Sequence, residues 1–336
     1  MPKNIYYGSC KCDAMVKSTN EFCQNNAYYS ANGSAGSVLY RCGVHCKSSA
    51  LGNVKELPKD PHIKATKSAQ LVAHAKSIIS ATDANMQASK QGKIICQKMG
   101  MMKAVELKNG YLNVFPNNKH QNRTDGFGCA SLSPMQLGPV KHRQPGLPDA
   151  LNIENYHQFN KVFHGEFTVD KTMKKTFTKD FYTTRRNGYL DPVPHRHKPR
   201  TDRPDLGHTD IPVCSVHKTL LGFNRQFTYL ESRFFYCMAY ESLAKQTADF
   251  KEVMEKHKNG VNLCICGYDA YPLLTKNYDE MTQKLYDNYL NLDRPFGHEL
   301  VLVCLLALYK DDYPWRRFHR ENKKVYANIA YVECDD

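Results

Sequence analysis

Apolar residues recur at helical spacing at Leu71, Ala75, Ile78, Ile79, Thr82 and Met86, within a segment rich in Lys, Ala and Ser. They predict one amphipathic helix whose narrow stripe packs on a larger domain. From Gly92 to Phe115 the apolar runs shorten to strand length, with a turn at Lys108-Asn109-Gly110. Residues 116–150 are turn-rich, with Pro134, Pro139, Pro145 and Pro148. Residues 151–163 then read as a helix opened by Asn152, and Ser232 as the cap of a second helix that runs to about His257 and closes at Gly260. The run 261–266 predicts a short buried strand ending at Gly267. Tyr278, Met281, Leu285 and Tyr289 mark a further helix, and Leu300 to Tyr309 a nearly all-apolar one. Buried helices around a small sheet predict an α+β fold.

Between Gly165 and Glu231 the chain is polar, rich in His, Arg and Pro, and without periodicity, which reads as an insertion or a long ordered loop over 165–231. The expected organisation is a cysteine-rich module over 1–46, a basic linker with the amphipathic helix over 47–91, a main domain over 92–320, and a tail over 321–336.

Composition adds location and charge. The start lacks the apolar stretch of a secretory signal, and the longest apolar run, Leu300 to Leu308, is about half of what a bilayer needs. No membrane partner is expected, and an intracellular site, cytoplasm or nucleus, follows. Thirteen cysteines, an odd number clustered toward one end, suit thiols and metal in a reducing compartment better than disulfides. The net charge of +13 is uneven: residues 1–125 carry 17 Lys/Arg against 7 Asp/Glu, and the remainder 29 against 26. A basic N-terminal third favours phosphate-rich partners such as nucleic acid, although the same surplus also serves solubility.

Cys12, Cys23, Cys42 and His45 form C-x10-C-x18-C-x2-H, with Cys10 and Cys46 as spare thiols at either end. Zinc prefers a tetrahedral set of thiolate and imidazole, and the closely spaced Cys42-Gly43-Val44-His45 makes one knuckle of such a site. A structural zinc ion would then supply folding free energy to a module too small to bury a core of its own. Cys10 can replace Cys12 in this reading. The pattern is similar to small C-C-C-H modules of phage and large-DNA-virus proteins, which implies an accessory role.

In the centre of the chain Glu154, Gln158 and Lys161 share one helix face. Spacing alone fits a solvated face with a Glu–Lys pair. The surrounding text resembles the opening of the NADAR superfamily. There a G-x-hydrophobic-S-x-hydrophobic stretch (here Gly128, then Ser131 or Ser133) precedes a helix of the form E-x-x-x-Q-x-x-K (here Glu154, Gln158, Lys161). The segment 235–271 looks like the family's later helix and strand, ending near an acidic residue, here Asp269. Residues 296–309 sit where the family has its last turn and helix. Asn155 stands where His is frequent, and the family's Trp-Gly and turn Asn are missing.

The resemblance implies a mostly helical domain that cleaves an N-glycosidic bond in an ADP-ribosylated nucleotide, nucleic acid or related ribosyl compound. Glu154 would be the essential carboxylate, with Asp269 a second candidate or merely a turn cap. Gln158 would hold a ribose hydroxyl, with Ser133 beside it, and Lys161 would meet a phosphate or Glu154. Arg233 and Tyr236, at a helix start, would face a diphosphate or pack. His195 and His197, among Arg196, Lys198 and Arg200, suit phosphate better than a cation, and a solvated basic loop as well. The alternative is a protein that keeps the fold without the chemistry, binds nucleic acid or other virion proteins, and resides in a virion.

Overall fold

The computed structural model describes residues 11–16, 21–25, 27–32, 38–42, 52–57, 61–100, 105–169, 175–195, 212–275 and 277–334. The chain divides into two compact units, Met1–Ala75 and Lys76–Asp336. Helices and sheets are both present, as an α+β fold requires, and among the described residues no helix is long and apolar enough to cross a membrane.

In the first unit, strands β1 (Met15–Val16) and β2 (Glu21–Phe22) pair antiparallel. Strand β3 (Tyr29–Asn32) lies between β4 (Val38–Arg41) and β5 (Gly52–Glu56), antiparallel to both. The stretch 52–56, which reads as linker in the sequence, is therefore a sheet strand. Its alternation of small and polar residues carries no apolar period, and backbone pairing alone defines it.

Helix α1 (Pro61–Gln87) contains the predicted amphipathic segment. Leu71, Ile78 and Thr82 are half-buried, but Ile79 and Met86 are 61% and 54% exposed. Polar groups fix its last turns instead: Ser77 Oγ accepts from Gly110 N (3.0 Å), and Asn85 Nδ2 donates to Gly260 O (2.7 Å) and Asn262 Oδ1 (3.0 Å).

The second unit is built on a four-stranded parallel sheet. Its strands are β6 (Ile94–Lys98), β7 (Leu112–Phe115), β8 (Phe127–Gly128) and β14 (Leu263–Gly267), in the order β6-β14-β7-β8. The turn at Lys108 is present, with Tyr111 N donating to Lys108 O (3.1 Å). The strands on either side of it flank β14 and do not pair with each other. β14 is buried along its whole length, the mark of a parallel strand covered on both faces.

Helix α2 spans Ile153–Gln158 and starts where expected, with Asn152 Oδ1 accepting from Asn155 N (2.8 Å). It ends before Lys161, which lies in the short strand β9 (Lys161–Val162). Sheet pairing of β9 with β12 (Cys214–Lys218) overrides the helical period.

The stretch 165–231 is largely structured among its described residues. It holds the hairpin β10 (Phe167–Val169)–β11 (Lys175–Phe177), helix α3 (Lys179–Leu190), and a second hairpin of β12 with β13 (Asn224–Phe227). Its polar look has a cause: α3 buries Arg185, and β12 buries His217, side chains that read as surface.

The long helix predicted from Ser232 is two helices, α4 (Tyr229–Ala244) and α5 (Ala248–Lys258). Thr228 caps α4 in a reciprocal box with Glu231, and Thr247 caps α5. Ser232 Oγ instead donates to Tyr229 O (2.8 Å). Helices α6 (Tyr278–Leu290) and α7 (His298–Ala307) follow, and α8 (Pro314–Glu321) places Trp315 in the core. In the core around Val114, Leu263 and Ile265, α7 packs against β6 and β14, and α4 packs on α7 and α8.

Candidate functional site

The first unit gathers three thiols. Cys12 N donates to Asn25 O (2.9 Å), Cys23 N to Ala14 O (2.8 Å) and Asp13 N to Tyr40 O (3.0 Å), while Asp13 Oδ2 accepts from Tyr40 N (3.0 Å). These bonds lay residues 12–14 between residues 23–25 and β4, so cysteines remote in sequence converge. The Sγ atoms of Cys12, Cys23 and Cys42 all lie within 4.8 Å of one another, and the three residues are buried. They lie close enough to hold a metal ion. Thiolates about 2.3 Å from a tetrahedral ion stand about 3.8 Å apart, so the donor set fits such a group with little movement. His45, Cys10 and Cys46 lie outside the described residues.

In the second unit the carboxyl ends of the parallel strands meet the first turn of α7, the edge at which sheets of this kind hold ligands. Gly267 ends β14 and Gly297 caps α7, and the Glu299 side chain is packed on both. A Cβ on Gly267 would stand 1.8 Å from Glu299 Oε1, and one on Gly297 2.7 Å from Glu299 Oε2 and 2.6 Å from the Asp269 Cβ. Both positions therefore need glycine for close approach rather than for backbone angle. Glu299 is 1% exposed, its Oε2 makes no hydrogen bond, and that oxygen lies 3.3 Å from His298 Nδ1. His298 is itself held by a contact of 2.8 Å between Nε2 and Pro116 O.

Asp269 is at the surface beside this pair. Partial burial and the Glu299 charge raise its carboxyl pKa, opposed by His298 and Lys98.

Glu154 stands in the first turn of α2. Its backbone N donates to Pro134 O (3.0 Å), Gln158 Nε2 donates to Glu154 Oε1 (2.9 Å), and Lys161 Nζ donates to Gln158 Oε1 (3.0 Å). The three residues thus form one hydrogen-bonded chain although Lys161 is off the helix. Burial pushes the phenol of Tyr236, on α4, well above its usual pKa, and the charges of Glu154 and Glu299 add to the rise. A phenol held neutral can donate a hydrogen bond, while carboxylates can accept one or face a developing cation.

The other predicted residues have different places. Ser133 is buried and its Oγ accepts from Met135 N (3.3 Å), closing a turn. Ser131 Oγ donates to Asp249 Oδ2 (2.5 Å). Arg233 is 4% exposed and donates to Tyr289 O, in the last turn of α6, and to Arg294 O (2.6 Å) beyond it, a packing role of the kind the sequence left open beside a diphosphate. His195 contacts Asp191 Oδ2 through Nε2 (2.8 Å) at the surface, and His197 lies outside the described residues. Asn155 is fully buried; its side chain takes His195 N (2.7 Å) and donates to Asp191 O (2.9 Å) and Val193 O (3.0 Å). An imidazole could not supply all three bonds.

Sequence reasoning missed Glu299, Gly267 and Gly297 as a unit. The available signal was a glutamate in the first turn of the helix HELVLVCLLA, whose remaining residues after His298 are apolar.

Comparison with family models, curated proteins and solved structures finds no match for this chain.

Proposed function

We propose that the Lys76–Asp336 unit cleaves an N-glycosidic bond in an ADP-ribosyl or related ribosylated nucleotide or nucleic acid, as its resemblance to the NADAR superfamily implies. The observation that carries this reading is the hydrogen-bonded chain Glu154–Gln158–Lys161, with the charges of Glu154 and Glu299 both acting on the neutral Tyr236 phenol. Cleavage builds oxocarbenium character on the anomeric carbon and negative charge on the departing base. Glu154 stabilises the first or activates water, and Tyr236 donates to the second. Gln158 orients Glu154, and Asp269 stands at the rim. Glu154→Gln should abolish release of ADP-ribose from modified guanine or DNA while leaving the thermal unfolding midpoint in place. Undiminished release would remove Glu154 from the mechanism.

The ion at the thiol cluster is, in this reading, zinc, with His45 as fourth ligand and a structural role. A second reading is favoured by the charge surplus of residues 1–125. In it the N-terminal third binds nucleic acid or virion proteins, and log K falls linearly with log salt. Binding indifferent to salt, or surviving deletion of residues 1–125, would count against it.

A further inference from the structure

The turn between β12 and β13 carries three large apolar side chains that stand in solvent. Leu220, Leu221 and Phe223 are 51%, 81% and 68% exposed, and Leu221 is the most exposed large apolar residue among those described. Apolar side chains scattered singly over a surface need no explanation, but three within four positions of one turn do.

The turn is not free to tuck them in. Thr219 N donates to Phe223 O (2.8 Å), Gly222 N to Thr219 O (2.9 Å) and Phe223 N to Thr219 Oγ1 (3.1 Å), and Gly222 takes a φ of +90° that other residues rarely adopt. From the neighbouring segment, Asn328 O accepts from Leu220 N (2.8 Å), and Ala330 N donates to Lys218 O (2.9 Å). The backbone is therefore pinned from two sides, and what it holds out to water is apolar surface.

The charge around this tip has one sign. The segments that build it, 212–230 and 322–332, contain Lys218, Arg225, Lys323 and Lys324 and no Asp or Glu. Lys323 and Lys324 are exposed. Arg225 donates to Lys324 O (3.3 Å) and Ala327 O (3.5 Å), and Lys218 Nζ to Pro145 O (2.7 Å), so both keep their charge against neutral acceptors. None of the four forms an ion pair among the described residues. The acids that flank the two segments are engaged elsewhere: Glu231 in the cap of α4, Glu321 with Arg317 (3.0 Å) and Glu333 with Arg143.

We propose that this turn is a peripheral contact for an anionic lipid surface: Leu220, Leu221 and Phe223 enter the acyl boundary, and Arg225, Lys323 and Lys324 meet the headgroups above them. A projecting apolar tip backed by unpaired cations matches a bilayer, whose charged layer lies outside an apolar one. A nucleic acid presents the charge outermost over its whole surface and offers no such apolar layer to the leucines. The sequence predicts no membrane partner because it holds no spanning segment, and a tip of a few residues gives no signal of that kind. The inference is independent of the glycosidase reading and involves no bond cleavage.

Flotation of the full-length protein with vesicles of phosphatidylcholine alone, and of phosphatidylcholine with about one-third phosphatidylserine, tests it. Binding to the anionic vesicles is expected, and it should fall as salt is raised. Leu221→Ser and Phe223→Ser should each weaken it at least about tenfold, and the double variant Lys323→Gln, Lys324→Gln by a similar factor. Because the substituted side chains are exposed, circular dichroism and Trp315 fluorescence should match the wild type. No binding to anionic vesicles, or binding that none of these variants weakens, overturns the proposal. So does a dimer that Leu221→Ser converts to monomers, which would assign the tip to a second copy, or a DNA duplex that binds through the tip while vesicles do not.

Discussion

Glu241 offers a quantitative test of how the second unit is held together. It is fully buried on α4 and accepts four hydrogen bonds: from Lys245 Nζ (3.0 Å), Trp315 Nε1 (2.9 Å), Arg316 Nε (3.2 Å) and Arg316 Nη2 (2.9 Å). Burial alone would raise its pKa, but the hydrogen bonds and charges of Arg316 and Lys245 outweigh it and hold the carboxyl below its ordinary range. Glu241→Gln keeps the volume, removes the charge, and turns an amide NH2 toward donors. Breaking a buried pair in this way costs about 3–5 kcal/mol, and because the Arg316 and Lys245 side chains are 22% and 35% exposed the lower end applies, about 3 kcal/mol. For a unit of this size that lowers the melting midpoint by roughly 6–12 °C. Trp315 is the only tryptophan in the chain and is itself a partner of Glu241, so its fluorescence reports the transition directly. A shift smaller than about 2 °C would refute the view that this network ties α8 to α4.

Three further outcomes follow from the same geometry. Gly267→Ala drives a Cβ to within 1.8 Å of Glu299 Oε1 and should lower the urea midpoint by the equivalent of about 1–3 kcal/mol, together with ADP-ribose release; an unchanged midpoint would show that Glu299 is not packed there. His142 donates through Nε2 to Pro148 O (2.8 Å) and accepts at Nδ1 from Gln144 N (3.0 Å), and burial holds its pKa down at about 4. The unfolded chain, with a value near 6.5, then binds more protons, so its contribution of about 3 kcal/mol is whole above about pH 6.5 and is lost as pH falls toward 4. Urea titrations across that range should show a shallower pH slope in His142→Asn than in wild type. Chelation should strip one zinc per chain and melt structure in Met1–Ala75 while Trp315 fluorescence stays native; a metal-free protein with unaltered circular dichroism would contradict the zinc assignment.

What the sequence disclosed depended on where each signal resided. Asn152 as a cap, the buried strand before Gly267 and the apolar helix after Gly297 are local patterns, and each appears in the structure. The convergence of Cys12, Cys23 and Cys42 was legible from residue type and clustering. The strand order β6-β14-β7-β8 was not, because β14 pairs in parallel with segments that precede it by about 150 to 170 residues, which leaves no local trace. The end of α2 was misplaced because β12, itself hidden in a polar stretch, captures Lys161 and Val162. Arg233 read equally as a ligand residue or as packing; only the tertiary structure shows the carbonyls of Tyr289 and Arg294 that it holds. Glu299 and Arg185 were overlooked for the opposite reason, as charges inside segments whose burial no local period reveals.

The most direct test of the central claim is the release of ADP-ribose from ADP-ribosylated guanine nucleotide or DNA, measured side by side for wild type, Glu154→Gln and Glu299→Gln at matched fold stability. The account predicts release by the wild type and a fall of roughly 10²- to 10⁴-fold in each variant, the range of a lost acid, base or charge-stabilising group. No release by the wild type, or equal release by all three proteins, would contradict it.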